Sequence, residues 1–189
     1  MKMTLINEMI LAARGMKALI FNDKNAAKFF DSSYYGFIGA SIALLISLAI
    51  SAFLPIIMGQ AEKQHLSAFE AIIFASSIYA VQIGAAAIVL NQLNRLNALL
   101  TFLVADFWTT FFITIIMSIP TLFGVNSSLF TLIIAIVILI VKINILRLLI
   151  KLPAMQIVMF FIAQIAAGFV GIIFLSMVFD FNFVDSQPM

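Results

Sequence analysis

Residues 103–117, "LVADFWTTFFITIIM", hold one carboxylate, Asp106, in a run otherwise made of apolar and hydroxyl side chains. A helix needs about 20 mainly apolar residues to cross the hydrocarbon layer of a bilayer. This run extends over about residues 97–119, and four more like it occupy about 36–58, 68–91, 128–150 and 154–179. Together they take up most of the chain. The fold class expected is therefore all-α: a polytopic membrane helix bundle of about five transmembrane helices.

The composition excludes the alternatives. Of 189 residues, 65% are hydrophobic and 10% charged, against about 45–50% and about 25% in ordinary globular chains; the mean hydropathy is +1.21. A soluble domain of this size has no interior large enough for that much apolar surface. The net charge of +2 gives no case for nucleic-acid binding. Cysteine is absent, which removes disulfides, thiolate metal sites and cysteine nucleophiles together. Glu8, Arg14 and Lys17 interrupt what would be the apolar core of a cleavable leader, so none is expected.

Short polar or turn-forming breaks separate the runs: "GQAEKQHLS" (59–67), "NQLNRLN" (91–97), "PTLFGVNSS" (120–128) and "RLLIKLP" (147–153). Breaks this short predict that consecutive spans are antiparallel neighbours. Pro153 fits the first turn of a helix, and Pro55 and Pro120 fall near span ends, where they bend or stop one. Lys2, Arg14, Lys17, Lys24 and Lys28 precede the first span, Arg95 lies between the second and third, and Lys142, Arg147 and Lys151 lie towards the end of the fourth. With a cytoplasmic N-terminus all nine fall on or towards one side and only Lys63 on the other, the positive-inside pattern. The expected topology is N-in and C-out, with the acidic tail "DFNFVDSQPM" outside. Three parts follow: a cytoplasmic entry segment, 1–35; a five-span domain, 36–179; and an extracytoplasmic tail, 180–189.

The entry segment contains "TLINEMILAARGMKALIF" (4–21), which on a helical wheel sets Leu5, Met9, Ala13, Met16 and Ile20 against Asn7, Glu8, Arg14 and Lys17. It is expected to lie on the membrane, with Arg14, Lys17, Lys24 and Lys28 facing its surface. There it either meets anionic lipid or serves as a flap over the cytoplasmic ends of the spans. Asp31 or Ser32 is placed to cap the first span, with Tyr34, Tyr35 and Phe37 at interface depth. Small residues every fourth position form three packing stripes: Gly39, Ala43, Ser47 and Ser51; Ser76, Ala80 and Gly84; Ala163, Ala167 and Gly171.

At 1.5 Å per residue, Asp106 lies roughly 15 Å into its span from Arg95, and Lys142 roughly 8 Å in from Arg147. An unpaired ion near mid-bilayer costs about 2.5–3.5 kcal/mol on insertion scales. The two are expected to pair across the third and fourth spans, with Gln82, Asn144, Gln156 and Gln164 as a polar seam around them. The pair is either a structural clasp or part of a proton or ion path. Trp108 fits a packing anchor beside it.

No catalytic set is recognisable: there is one histidine and no HExxH, GxSxG or Gly-rich phosphate loop. His65 with Glu62 and Glu70 is too sparse for a metal site. No enzyme activity, cofactor or metal is expected, and the partners expected are the lipid bilayer and other membrane proteins or a larger membrane complex.

The layout, with "ARG" at 13–15, "FFDSSYYGF" at 29–37 and "ADFWTTFF" at 105–112, resembles the Yip family, five-span membrane proteins named for interaction with Ypt/Rab GTPases, which has small bacterial members. The resemblance implies a non-enzymatic membrane-organising or trafficking-type adaptor, in a bacterium an accessory protein of the inner membrane. The long polar N-terminal arm of eukaryotic members is missing, so no GTPase partner is expected.

Overall fold

The computed structural model describes residues 4–59, 67–124 and 127–178, and among these the fold is helical throughout. Helix α1 spans Leu5–Ile20, α2 Tyr34–Ile57, α3 Ala68–Gln92, α4 Leu99–Leu122, α5 Ser128–Asn144 and α6 Ala154–Val178. The last five are each long and apolar enough to cross a membrane, and the chain is an integral membrane protein. Glu62, Lys63, His65 and the acidic tail lie outside the described residues.

Local chemistry explains where the helices begin. Ser67 and Glu70 form a reciprocal capping box at the start of α3: Glu70 Oε2 accepts from the Ser67 N–H at 2.8 Å and the Ser67 hydroxyl accepts from the Glu70 N–H at 3.3 Å. Glu70 is thereby a helix cap. The cap of α2 is Ser33, which accepts from the Gly36 N–H at 3.2 Å. Asp31, expected in that role, instead accepts from the Ser33 N–H at 2.9 Å, one step upstream. Pro153 directly precedes α6 and its carbonyl accepts the first bond of that helix, from Ile157. Pro55 and Pro120 sit in the last turns of α2 and α4. Helix α5 leaves the regular ladder in a π-helical turn, Ile145–Leu149, and the chain then reverses through Lys151, at φ +60°.

Sequential order is not packing order. Helix α2 packs chiefly on α4, and α3 on α6, while α4 and α5 touch over a much shorter length. Consecutive spans do touch, α2 with α3, α3 with α4 and α4 with α5, but the dominant pairs lie two and three connections apart. Small residues account for the second pair, since Gly171 of α6 lies against Ile78 and Val81 of α3. Of the three stripes, the first packs at Gly39, Ala43 and Ser47 but leaves Ser51 exposed, and the third faces α3. The second does not pack, because Ala80 is exposed and a side chain at Gly84 would meet nothing within 4 Å.

The core lies at one end. Call the end that gathers Arg14, Arg95 and Arg147 the basic end. Its buried set includes Leu19 of α1, Ala40, Ala43 and Leu44 of α2, Ala86, Val89 and Leu90 of α3, Phe102 to Trp108 of α4, Val141 of α5 and Phe160 of α6. Towards the other end, residues 68–85, 112–122 and 128–140 include no buried residue. That surface is left to lipid, which is as apolar as the leucines facing it.

Helix α1 belongs to the core. It packs on α4 and α5 and touches α2, burying Glu8, Ala12, Gly15, Met16, Ala18 and Leu19. The wheel drawn from sequence is corrected here. Glu8, assigned to the polar side, faces the bundle; Leu5, Met9 and Ala13, assigned to the apolar side, are exposed together with Ile6 and Ile10. Small residues win the inward face because they permit close approach: a β-carbon at Gly15 would collide with the Phe30 ring. Exposed Ile6 and Ile10 remain available to lipid.

Candidate functional site

Helix α4 carries the most buried stretch of the molecule, from Phe102 to Thr109. Its aromatic residues fix it from both sides. Phe107 meets Phe37 of α2 with ring centres 6.0 Å apart, Phe102 meets Phe160 of α6 at 5.2 Å, and Trp108 packs edge-on against Phe111 at 5.8 Å. Trp108 is thus enclosed by its own helix and by α1 and the segment after it, as a packing anchor.

Within this stretch Asp106 is 6% exposed, and Lys142 of α5 donates to its Oδ1 at 2.5 Å. The pairing follows from helix geometry. Both residues lie about two turns from the basic ends of antiparallel spans, so the carboxylate and the lysine stem reach each other without either helix shifting. The two opposite charges offset each other at a depth where either alone would be costly. The Tyr79 hydroxyl of α3 lies beside Thr110 and within electrostatic reach of both ions. Tyr79 was not picked out from the sequence, although it stands three residues before Gln82 and so shares a helical face with it.

A cavity of about 310 Å³ adjoins the pair, lined by Lys142, Gln82, Gln164, Gly168 and the rings of Phe102 and Phe160 among others. The Gln164 side chain donates to the backbone carbonyl of Gln82 at 3.0 Å, tying α6 to α3. The expected polar seam is therefore half assembled: Gln82 and Gln164 meet Lys142 at the cavity, while Asn144 and Gln156 do not line it. Two residues beyond Lys142, Asn144 points to the other side of α5 and donates to the Leu19 carbonyl of α1 at 2.7 Å. It pins the end of α1 to α5. Gln156, half-buried, sits in the first turn of α6 near the interface.

The four surface bases, Arg14, Lys17, Lys24 and Lys28, are all exposed. Arg14 and Lys17 open onto a broad recess with Phe21, Phe29 and Asp23. Asp23 is spoken for, since its carboxylate accepts from the Asn25 backbone at 2.9 Å and side chain at 3.1 Å. Those bonds, the backbone one foremost, hold its carboxyl below the ordinary range. Among the described residues no three acidic, His or Cys side chains converge on one point. The chain matches no protein-family model, no curated protein and no solved structure.

Proposed function

We propose that this is a non-catalytic membrane-organising protein, a scaffold, adaptor or accessory subunit of Yip type, in a bacterial inner membrane with its N-terminus cytoplasmic and its C-terminus outside. One observation carries the reading: Asp106 and Lys142 close directly on each other in the best-packed part of the bundle. A relay needs ionisable groups in series along the membrane normal. Beyond the pair the polar groups here are an alcohol, a phenol and amides, and the amide of Gln164 is engaged in joining two helices. The exposed bases of α1 and the nine-to-one distribution of basic side chains support the orientation.

A proton- or ion-coupled transporter or channel is the second reading, favoured by the cavity beside Lys142. One set of variants separates the two. If the pair is a clasp, Asp106→Ala or Lys142→Leu alone strands the partner and lowers the detergent melting temperature, Asp106→Asn is milder, and the double substitution recovers stability. Breaking a buried pair costs about 3–5 kcal/mol in soluble proteins, and intramembrane polar contacts average about 0.6 kcal/mol, so the ordering is the readout. If the pair is a relay, Asp106→Asn melts like the parent, while proton or solute flux in liposomes, present in the parent, is abolished. Such flux from the pure parent protein would overturn the scaffold reading.

A further inference from the structure

A second carboxylate is buried at the basic end, and no base among the described residues pairs with it. Glu8 of α1 is 9% exposed and its Oε2 has no hydrogen-bond partner. The oxygen occupies the space that a β-carbon would take at Gly39 of α2, so the glycine is what allows the carboxyl to seat. Beside it is a small, partly open cavity lined by Glu8, Leu11 and Ala12 of α1, Phe29, Phe30 and Asp31 of the following segment, Gly36 of α2, and Val104 and Trp108 of α4. It leaves about 10 Å³ for the centre of a water molecule, room for about one.

Among the described residues, the charges facing this cavity are of one sign. Helix α2 contributes glycine, α4 contributes Val104 and Trp108, α5 contributes no lining residue, and the segment after α1 contributes Asp31. Arg14 and Lys17 open onto the separate recess, and Lys28 is exposed. An isolated ionised carboxylate in such a place takes up a proton in preference to staying charged. A metal ion would need a larger ligand set, and among the described residues no third acidic, His or Cys side chain joins Glu8 and Asp31. A proton needs one. Asp31 is half-buried and accepts from the Ser33 N–H, which leaves it the group on the path to water.

We propose that Glu8 is a proton-binding latch: α1 is docked in its groove on α2, α4 and α5 when Glu8 carries a proton, and is released when the proton leaves by way of Asp31. Burial first, and the Asp31 charge second, hold the Glu8 carboxyl above its ordinary range in the docked state. The sign follows. Docking is fully favoured below the ordinary glutamate value of about 4.3, weakens by up to about tenfold per pH unit as pH rises towards the docked-state value, and levels off above it. Release also breaks the bond from Asn144 to the Leu19 carbonyl.

The absence of cysteine makes the test direct. Spin labels on Lys17→Cys and Arg95→Cys, both exposed positions, report the distance from α1 to the bundle in liposomes between about pH 4 and about pH 9. The parent is expected to show one distance at low pH and a growing second, longer population as pH rises. Glu8→Gln, which keeps the shape without the charge, should hold the docked distance at every pH. Gly39→Ala, whose β-carbon takes the carboxyl's place, should give the released distance at every pH, while Gly84→Ala, in open space, should titrate like the parent. A parent distance that does not change with pH, an unaltered titration in Glu8→Gln, or a docked Gly39→Ala would each overturn the latch.

Discussion

Thr109 shows what single side chains in α4 are doing. Several intramembrane hydroxyls here turn back onto their own helix: Ser41, Ser47, Ser77 and Ser118 each donate to the carbonyl four residues before. Thr109 is 1% exposed and its Oγ1 has no partner. An unsatisfied buried polar group costs about 1–3 kcal/mol, so Thr109→Val, with the same shape, is expected to keep or raise the melting temperature in detergent. A clear fall would mean that the hydroxyl is satisfied after all. Glycines divide in the same way. Gly84→Ala should stabilise by about 0.5–1 kcal/mol, because a glycine within a helix is entropically costly and nothing obstructs the new methyl. Gly36→Ala should destabilise, since its β-carbon would fall on the Asp31 backbone carbonyl. Thermal melts of the two variants side by side test this opposition.

At the scale of elements, α1 has two apolar faces and one job for each. The face of Ala12, Gly15 and Leu19 fits the bundle, and the face of Ile6, Met9 and Ile10 is exposed beside Arg14 and Lys17. A peptide of residues 1–28 is expected to gain helicity on anionic vesicles and to lose binding as salt is added; indifference to lipid charge would leave α1 as a flap alone. The same helix marks where sequence reading succeeds and stops. The five spans were legible to within about three residues, with the π-helical turn counted into the fourth, because hydropathy summed over some 20 positions outweighs any local ambiguity. The Asp106–Lys142 pair was legible because depth along two antiparallel helices is simple arithmetic. The inward face of α1 was not, since both faces are apolar and the small residues, rather than the large ones, decided it. Tyr79 and the split of the polar seam were missed for another reason: they depend on which helices meet, α3 beside α4 at Tyr79 and α5 beside α1 at Asn144, which loop lengths do not reveal. The position of Tyr79 three residues before Gln82 was the available signal.

On the scale of the whole molecule, one end is packed and the other open, and the basic side chains gather at the packed end. A reporter fused at the C-terminus should behave as extracytoplasmic and one inserted at Arg95 as cytoplasmic; a cytoplasmic C-terminus would mean that the count of spans is wrong. The pairing of α2 with α4 and of α3 with α6 bears on how the chain is made. Spans leave the ribosome in order, yet α3 has its main partner in the last of them. At synthesis rates of about 5–20 residues per second, α3 waits on the order of ten seconds with its face towards α6 uncovered. The α3–α6 contact is thus completed only once α6 has been made. A chain halted after Pro153 would keep the α2–α4 pair but leave Ile78, Val81 and the Gln82 backbone without the helix that covers them. In a pulse-chase experiment that truncated chain is expected to be degraded several-fold faster than the full-length protein, and co-expression of residues 154–189 as a separate span should slow its loss. Covering of α3 is in that sense all or nothing, because the 25-residue helix α6 completes a contact begun by the second span.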